Sequence, residues 1–369
     1  MSQSERKILY RIVGKPSFAW RGSGHYHPHM IKHRAAALVF AILCTAAQAV
    51  AAPLYHLAAI VPLGGGVRWD YLKLDTGRHR LYIAHGTEVT VVGLRHLQII
   101  GELPGLPGSH GIAVDPATGD IWADSAEKGQ AVAFDPATFK PLGRVPVAED
   151  ADGMAYDPAS KTIFVSGGDG HALTPINPAT RAAYADIPLG GSPEAFAADG
   201  KGALYVDIVD RNEILRIDTA TRKITARWPA TGCAAPTGLA IDAAKRLLFS
   251  SCRGGTMMVL NADTGAVLAT IPIGQGTDCA GYDPVRQRAF SANGDGTLTL
   301  IDDSAGPKLL GTVQTALGAR TMAVDPVSGD VFTVTATVSG TAPPTRPGGR
   351  VHYQFVPGSL KLLVYAPGA

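Results

Sequence analysis

An aspartate that closes a short apolar strand recurs seven times along the chain, at Asp75, Asp115, Asp157, Asp199, Asp242, Asp283 and Asp325. The steps between them are 40, 42, 42, 43, 41 and 42 residues. The clearest copy runs from Ser109 to Trp122: a turn, the strand Ile112-Ala113-Val114, then Asp115-Pro116, a second turn and a new strand. A second register confirms the period, because the third strand of the repeat ends at Asp135, Asn177, Asp218, Asn261 and Asp302, in steps of 42, 41, 43 and 41. A repeat in the low forties built from strands alone is the mark of propeller blades. The expected fold is all-β: a seven-bladed β-propeller of four-stranded antiparallel blades. At 369 residues the chain is long for one ordinary core. A radial array avoids that limit, since each blade packs only on its neighbours.

Within each repeat the second strand is rich in aromatic and β-branched residues, as in Arg80-Leu81-Tyr82-Ile83-Ala84 and Thr162-Ile163-Phe164-Val165-Ser166. Asp-Pro-Ala-Thr segments suit the turns, because Asp can bond its own backbone two residues on and Pro presets φ. The fourth strand, as in Val267-Leu268-Ala269-Thr270-Ile271-Pro272, carries a Pro that an edge strand tolerates. The last repeat ends at Leu360–Tyr365 without a fourth strand, and a spare one, Leu57–Gly64, precedes the first repeat. The N-terminal strand is therefore expected to pair with the C-terminal blade and close the ring, which removes open edges.

Phrases such as Gly111-Ile112-Ala113-Val114-Asp115-Pro116, Gly238-Leu239-Ala240-Ile241-Asp242 and Leu204-Tyr205-Val206 carry a resemblance to a known family. Over about residues 53–366 the chain resembles the YVTN-repeat, YncE-like family of exported bacterial seven-bladed propellers. The resemblance implies architecture and export. It implies no activity, because the shared phrases are structural and a fold does not carry a function.

The N-terminus fits an exported protein. Met30-Ile31-Lys32-His33-Arg34 is a positive n-region, Ala35–Ala47 an apolar h-region, and Ala49-Val50-Ala51 a small-x-small cleavage site. Residues 30–51 thus read as a signal peptide, too short to span a membrane. Residues 1–29, basic and with His25, His27 and His29, read as a leader that need not be expressed, since Met30 opens a complete signal of its own. The expected location is periplasmic or secreted, with a monomeric propeller over residues 52–369. The whole chain has 33 basic and 31 acidic residues; the first 51 residues hold seven and one of these, which leaves 26 and 30, a net charge of −4. That balance argues against nucleic acid as a partner, which needs a basic face.

Candidate site residues follow from the period. Five residues before each repeat aspartate stand Asp70, His110, Asp152, Glu194, Thr237, Asp278 and Arg320. In a propeller these positions surround one mouth of the central channel. Converging carboxylates there should raise one another's pKa values unless a cation or Arg320 offsets them. Ten residues after the aspartates stand His85, Ser125, Gly167, Val209, Cys252, Asn293 and Thr335, of which His85 and Asn293 have the chemistry to extend a polar rim. A Pro/Gly-rich insertion at 336–358 brings Arg346, Arg350, His352 and Tyr353 to the same face. Long loops inside compact domains are commonly functional.

After export three cysteines remain, Cys233, Cys252 and Cys279. Cys233 precedes the first strand of the fifth blade and Cys252 ends the second; a hairpin turning near Ala243-Ala244 brings them together. A Cys233–Cys252 disulfide is expected in an oxidising compartment. The chain has no phosphate loop, no His-Glu-x-x-His helix and no Gly-x-Ser-x-Gly elbow. The reading favoured by these features is a binding or scaffold module that offers an acidic channel mouth to a small ligand, a divalent cation or an envelope protein. The alternative is a metal-dependent hydrolase resembling gluconolactonase-type propellers, with Asp152, Glu194, Asp278 and Asn293 as oxygen ligands.

Overall fold

The computed structural model describes residues 53–343 and 351–368, together with the isolated Ala19. Residues 1–29 and 30–51, expected to be a leader and a signal peptide, lie outside the described residues apart from Ala19, as do Arg346 and Arg350. Seven sheets of antiparallel strands follow one another around a ring. Blade 1 begins at Leu72–Asp75 and blade 2 at Ile112–Val114, and their second strands are Arg80–His85 and Ile121–Ser125. The inner strands of blades 3 to 7 are Ala151–Asp157, Pro193–Ala198, Pro236–Asp242, Thr277–Asp283 and Met322–Val324. In each sheet the innermost strand pairs only with the second, so one backbone edge per blade faces the channel.

The recurring aspartates explain themselves locally. Asp75, Asp115, Asp157, Asp199, Asp242, Asp283 and Asp325 each accept a backbone N–H from two or three residues on, at 2.8–3.0 Å, and so cap the turn that follows. Asp is favoured there because a short carboxylate reaches those amides without strain.

The packing is just as periodic. Tyr82, Trp122, Phe164, Tyr205, Phe249, Phe290 and Phe332 hold the same place in the seven second strands, and none is more than 2% exposed. Each belongs to an apolar cluster shared with the next blade, beginning with Tyr82 against Ile112 and Ile121, then Trp122 against Ile163 and Val165. The last of these clusters packs Phe332 and Val364 of blade 7 on Leu72 and Ile83 of blade 1. Large aromatics at these points supply most of the apolar area that holds one blade to another.

The ring closes as the sequence implies. Tyr55–Pro62 is the outermost strand of blade 7 and pairs antiparallel with Lys361–Pro367. Proline ends this strand and five of the other outer strands, at Pro104, Pro146, Pro188, Pro229 and Pro272. The outer edge is where a missing N–H costs little. The insertion in blade 7 is more ordered than a loop: Val338–Ala342 and His352–Phe355 form a two-stranded ribbon of their own. No helix among the described residues is long and apolar enough to cross a membrane.

Cys233 and Cys252 are joined, with their Cα atoms 5.4 Å apart, and Cys279 is a buried free thiol. Replacing both bonded cysteines with Ser opens a 19-residue separation in the unfolded chain and should cost about 3 kcal/mol. Urea unfolding of the double variant against the oxidised protein reads this directly, and coincident midpoints would show that the bond contributes nothing.

Candidate functional site

The residues five before each repeat aspartate do gather at one end of the channel, but they sort into two halves. On one half His110 Nδ1 lies 2.8 Å from Asp70 Oδ2 and 3.5 Å from Asp152 Oδ1. One donor atom from each of these three residues lies within 4.8 Å of the others. On the other half Arg253 bridges two carboxylates, with Nη2 2.9 Å from Glu194 Oε1 and Nε 3.1 Å from Asp278 Oδ1. Arg320 holds the second oxygen of Asp278. Its guanidinium also lies 5.3 Å from the ring centre of Trp69, which packs edge-on against Phe355 of the inserted ribbon. Thr237 takes no part: it is fully buried and donates to the Thr277 carbonyl at 2.9 Å.

The backbone beneath His110 is fixed by a second-strand carboxylate. Asp124, with no exposed surface, accepts the His110 N–H at 2.7 Å and the Gly111 N–H at 2.6 Å. An acid in an otherwise apolar strand is costly unless such donors meet it. Burial lifts its pKa to about 7, against the pull of those two amides and the His110 charge. Burial disfavours the charged His110 ring, yet the hydrogen bond that it donates to Asp70 and the charges of Asp70, Asp152 and Asp124 outweigh it and raise its pKa to about 9. Asp152 is pushed well above the carboxylate range, first by burial and then by Asp70 and Glu194. The Arg253 guanidinium loses by burial but gains more from Asp278 and Glu194, so it stays firmly charged.

The Asp124 shift has a sign that can be checked. The folded state binds this proton more tightly than the unfolded chain, whose aspartates titrate near pH 4. The contribution of Asp124 to stability is therefore fullest below about pH 4 and declines as pH rises toward 7, by on the order of 4 kcal/mol. His110 and Asp70 are the charged groups that act on it most closely. Asp124→Asn should flatten the decline between pH 4.5 and 7.5 in chemical denaturation; equal slopes for variant and wild type would contradict the assignment.

The remaining expected rim residues lie elsewhere. His85 is 4% exposed, hydrogen-bonded to the Gly66 carbonyl at 3.0 Å and within 3.5 Å of Glu88. The turn at Gly64–Gly66 rests on its ring, so closely that a Cβ on Gly65 would stand 2.5 Å from Cε1. Asn293 is fully buried and spends its amide on Thr297 and Thr299 and its carbonyl on Ser291. Neither is a rim group, because each is consumed by its own blade. Val209 is displaced for another reason. The fourth repeat turns in Gly200-Lys201-Gly202 before the strand Ala203–Ile208, one residue tighter than its neighbours, and Ile208 takes the equivalent place. Tyr353 does reach the face, lining a cavity of about 290 Å³ with Arg253, Arg320, His352 and Phe355. On the far side of the mouth, His110 borders a basin of about 630 Å³ that also holds Glu127, Glu149, Asp150 and Asp169.

Arg253 was not among the residues expected at the mouth, though a trace of it is in the sequence. The residue after the second strand is Gly86, Ala126, Gly168, Val209, Gly294 or Ala336 in the other blades, and Arg253 alone is charged. Tyr71 was also missed. Burial first, then the charges of Asp152, Glu194 and Asp70, raise its pKa well above the usual range, so its hydroxyl feels acids from both halves of the mouth.

The fold and this hub define the chain as a seven-bladed β-propeller whose channel mouth is acidic on one half and arginine-bridged on the other. No family model matches the sequence, and no curated protein matches it. Among solved structures the chain is similar to one of Kuenenia stuttgartiensis hydrazine synthase, at 14% identity and a TM-score of 0.64, covering 82% of this chain and 98% of that one. It is also similar to a chain of the mitotic checkpoint complex, at 12% identity and a TM-score of 0.69, covering 90% and 98%. At such identities the likeness is one of fold alone.

Proposed function

We propose that the protein is a binding module of the cell envelope whose channel mouth holds a divalent cation between Asp70, His110 and Asp152. The observation that carries this reading is the convergence of one imidazole nitrogen and two carboxylates within 4.8 Å. Glu194 and Asp278 are matched by Arg253 and Arg320, whereas the ion-pair partner of Asp70 and Asp152 among the described residues is His110. A mixed nitrogen and oxygen set suits zinc or manganese better than calcium or magnesium, which prefer oxygen alone. The acidic basin beside His110 would draw cations toward the site. Export is supported by the signal-like segment at residues 30–51, by the disulfide and by the resemblance to YncE-like propellers. A small ligand or envelope protein would complete the site, with the inserted ribbon beside it.

Protein stripped with chelator and titrated with zinc(II) or manganese(II) should take up one equivalent. Asp70→Asn and Asp152→Asn should weaken that uptake at least tenfold, and Glu194→Gln should leave it nearly unchanged. No stoichiometric uptake, or equal losses in all three variants, would sink the reading. Three protein donors leave coordination positions open, as a hydrolytic centre requires. Turnover of a lactone or phosphoester by the loaded protein, lost in Asp152→Asn, would shift the reading to a metal-dependent hydrolase.

A further inference from the structure

Two residues before the repeat aspartate, the inner strands of blades 2 to 7 carry Ala113, Ala155, Ala197, Ala240, Gly281 and Ala323; blade 1 alone carries a long side chain, Lys73. Small residues are dictated there by the crowding of seven strands near the axis, as at Gly281, where a Cβ would stand 2.8 Å from Val324. Lys73 lines the channel cavity, a space of about 400 Å³ bounded also by Tyr71, Met154, Tyr156, Glu194 and Phe196. It is mostly buried, and among the described residues it makes no ion pair and no side-chain hydrogen bond. Burial lowers its pKa, and Asp75 is the one charge that opposes this. A desolvated ammonium without a partner is costly and is retained where something supplies the missing charge.

We propose that the channel interior is a second site, distinct from the Asp70–His110–Asp152 cluster, where a small oxyanion sits against the Lys73 ammonium. The unpaired inner edges of the strands give it backbone N–H groups, which complete an oxyanion's coordination as they do in other anion-binding concavities. Tyr156, Phe196 and Met154 offer apolar wall to a short hydrocarbon body, which favours a carboxylate. Glu194 reaches this cavity from the mouth, with its carboxylate held by Arg253.

The test uses acetate, succinate and inorganic phosphate as probes on the intact protein. Calorimetric titration should detect saturable binding of at least one probe. Lys73→Met, which keeps the length and removes the charge, should weaken it at least tenfold. Reductive methylation followed by peptide mass spectrometry provides a readout that needs no variant. The bound probe should slow labelling of Lys73 at least fivefold while leaving Lys223 and Lys308 unchanged. Binding of no probe, equal binding by Lys73→Met, or labelling of Lys73 unaffected by saturating probe would each overturn the proposal. Phosphate binding more tightly than succinate would keep the oxyanion and discard the carboxylate preference. Metal uptake at the mouth is measured separately, so the two sites fail independently.

Discussion

A chain lacking residues 53–62 should lose its cooperative thermal transition and aggregate on heating from low temperature. These residues supply the outer strand of blade 7, paired over its length with Lys361–Pro367. Removing them bares an edge rich in Leu362, Leu363 and Val364, the kind of open strand that recruits other chains. It also strips Tyr55 from the cluster between blades 6 and 7, where its ring meets Phe290 edge-on at 5.7 Å and its hydroxyl donates to the Gly329 carbonyl at 3.0 Å. Tyr55→Ala alone should cost about 3–4 kcal/mol, the usual loss for a buried aromatic. Calorimetry and light scattering on both variants decide the matter: a truncated chain that melts at the wild-type temperature would mean that the ring does not depend on this strand.

Arg253→Met is expected to destabilise the protein by about 2–4 kcal/mol. The guanidinium is largely buried between Glu194 and Asp278, and removing one partner of such a network leaves the carboxylates without their shared cation. Arg320 continues to hold Asp278, which is why the loss should fall below that of an isolated buried pair. Arg253→Lys should recover only part, because a single ammonium cannot face two carboxylates as a planar fork does. A second change, Glu194→Gln, should return about half of the loss in the Arg253→Met background. Strict additivity of the two substitutions in denaturant titrations would show that the bridge has no energetic coupling.

The fold was legible because its determinants are local. Turn-capping aspartates and strand aromatics repeat at one period, so the blade count, the closing strand and the Cys233–Cys252 bond could all be read from spacing. The mouth was legible only as a column of positions. Spacing places Thr237 and Asp278 at equivalent points but does not tell that Thr237 turns to the Thr277 carbonyl while Asp278 meets two arginines. Those outcomes depend on partners 25 to 42 residues away. His85 and Asn293 show the same limit, since a polar residue at a loop position can be spent on its own blade. Arg253 and Lys73 were visible as lone exceptions in otherwise small columns, a signal stronger than the polarity of any single column.

The order of strands in the last blade has a consequence for biogenesis. The strand Lys361–Pro367 sits between Val331–Thr335 and the N-terminal strand Tyr55–Pro62. Synthesis from the amino end therefore produces the latch strand long before the strand that it pairs with. The circle can be sealed only once residues 361–367 exist, so closure comes after the strands of the six preceding sectors have been made.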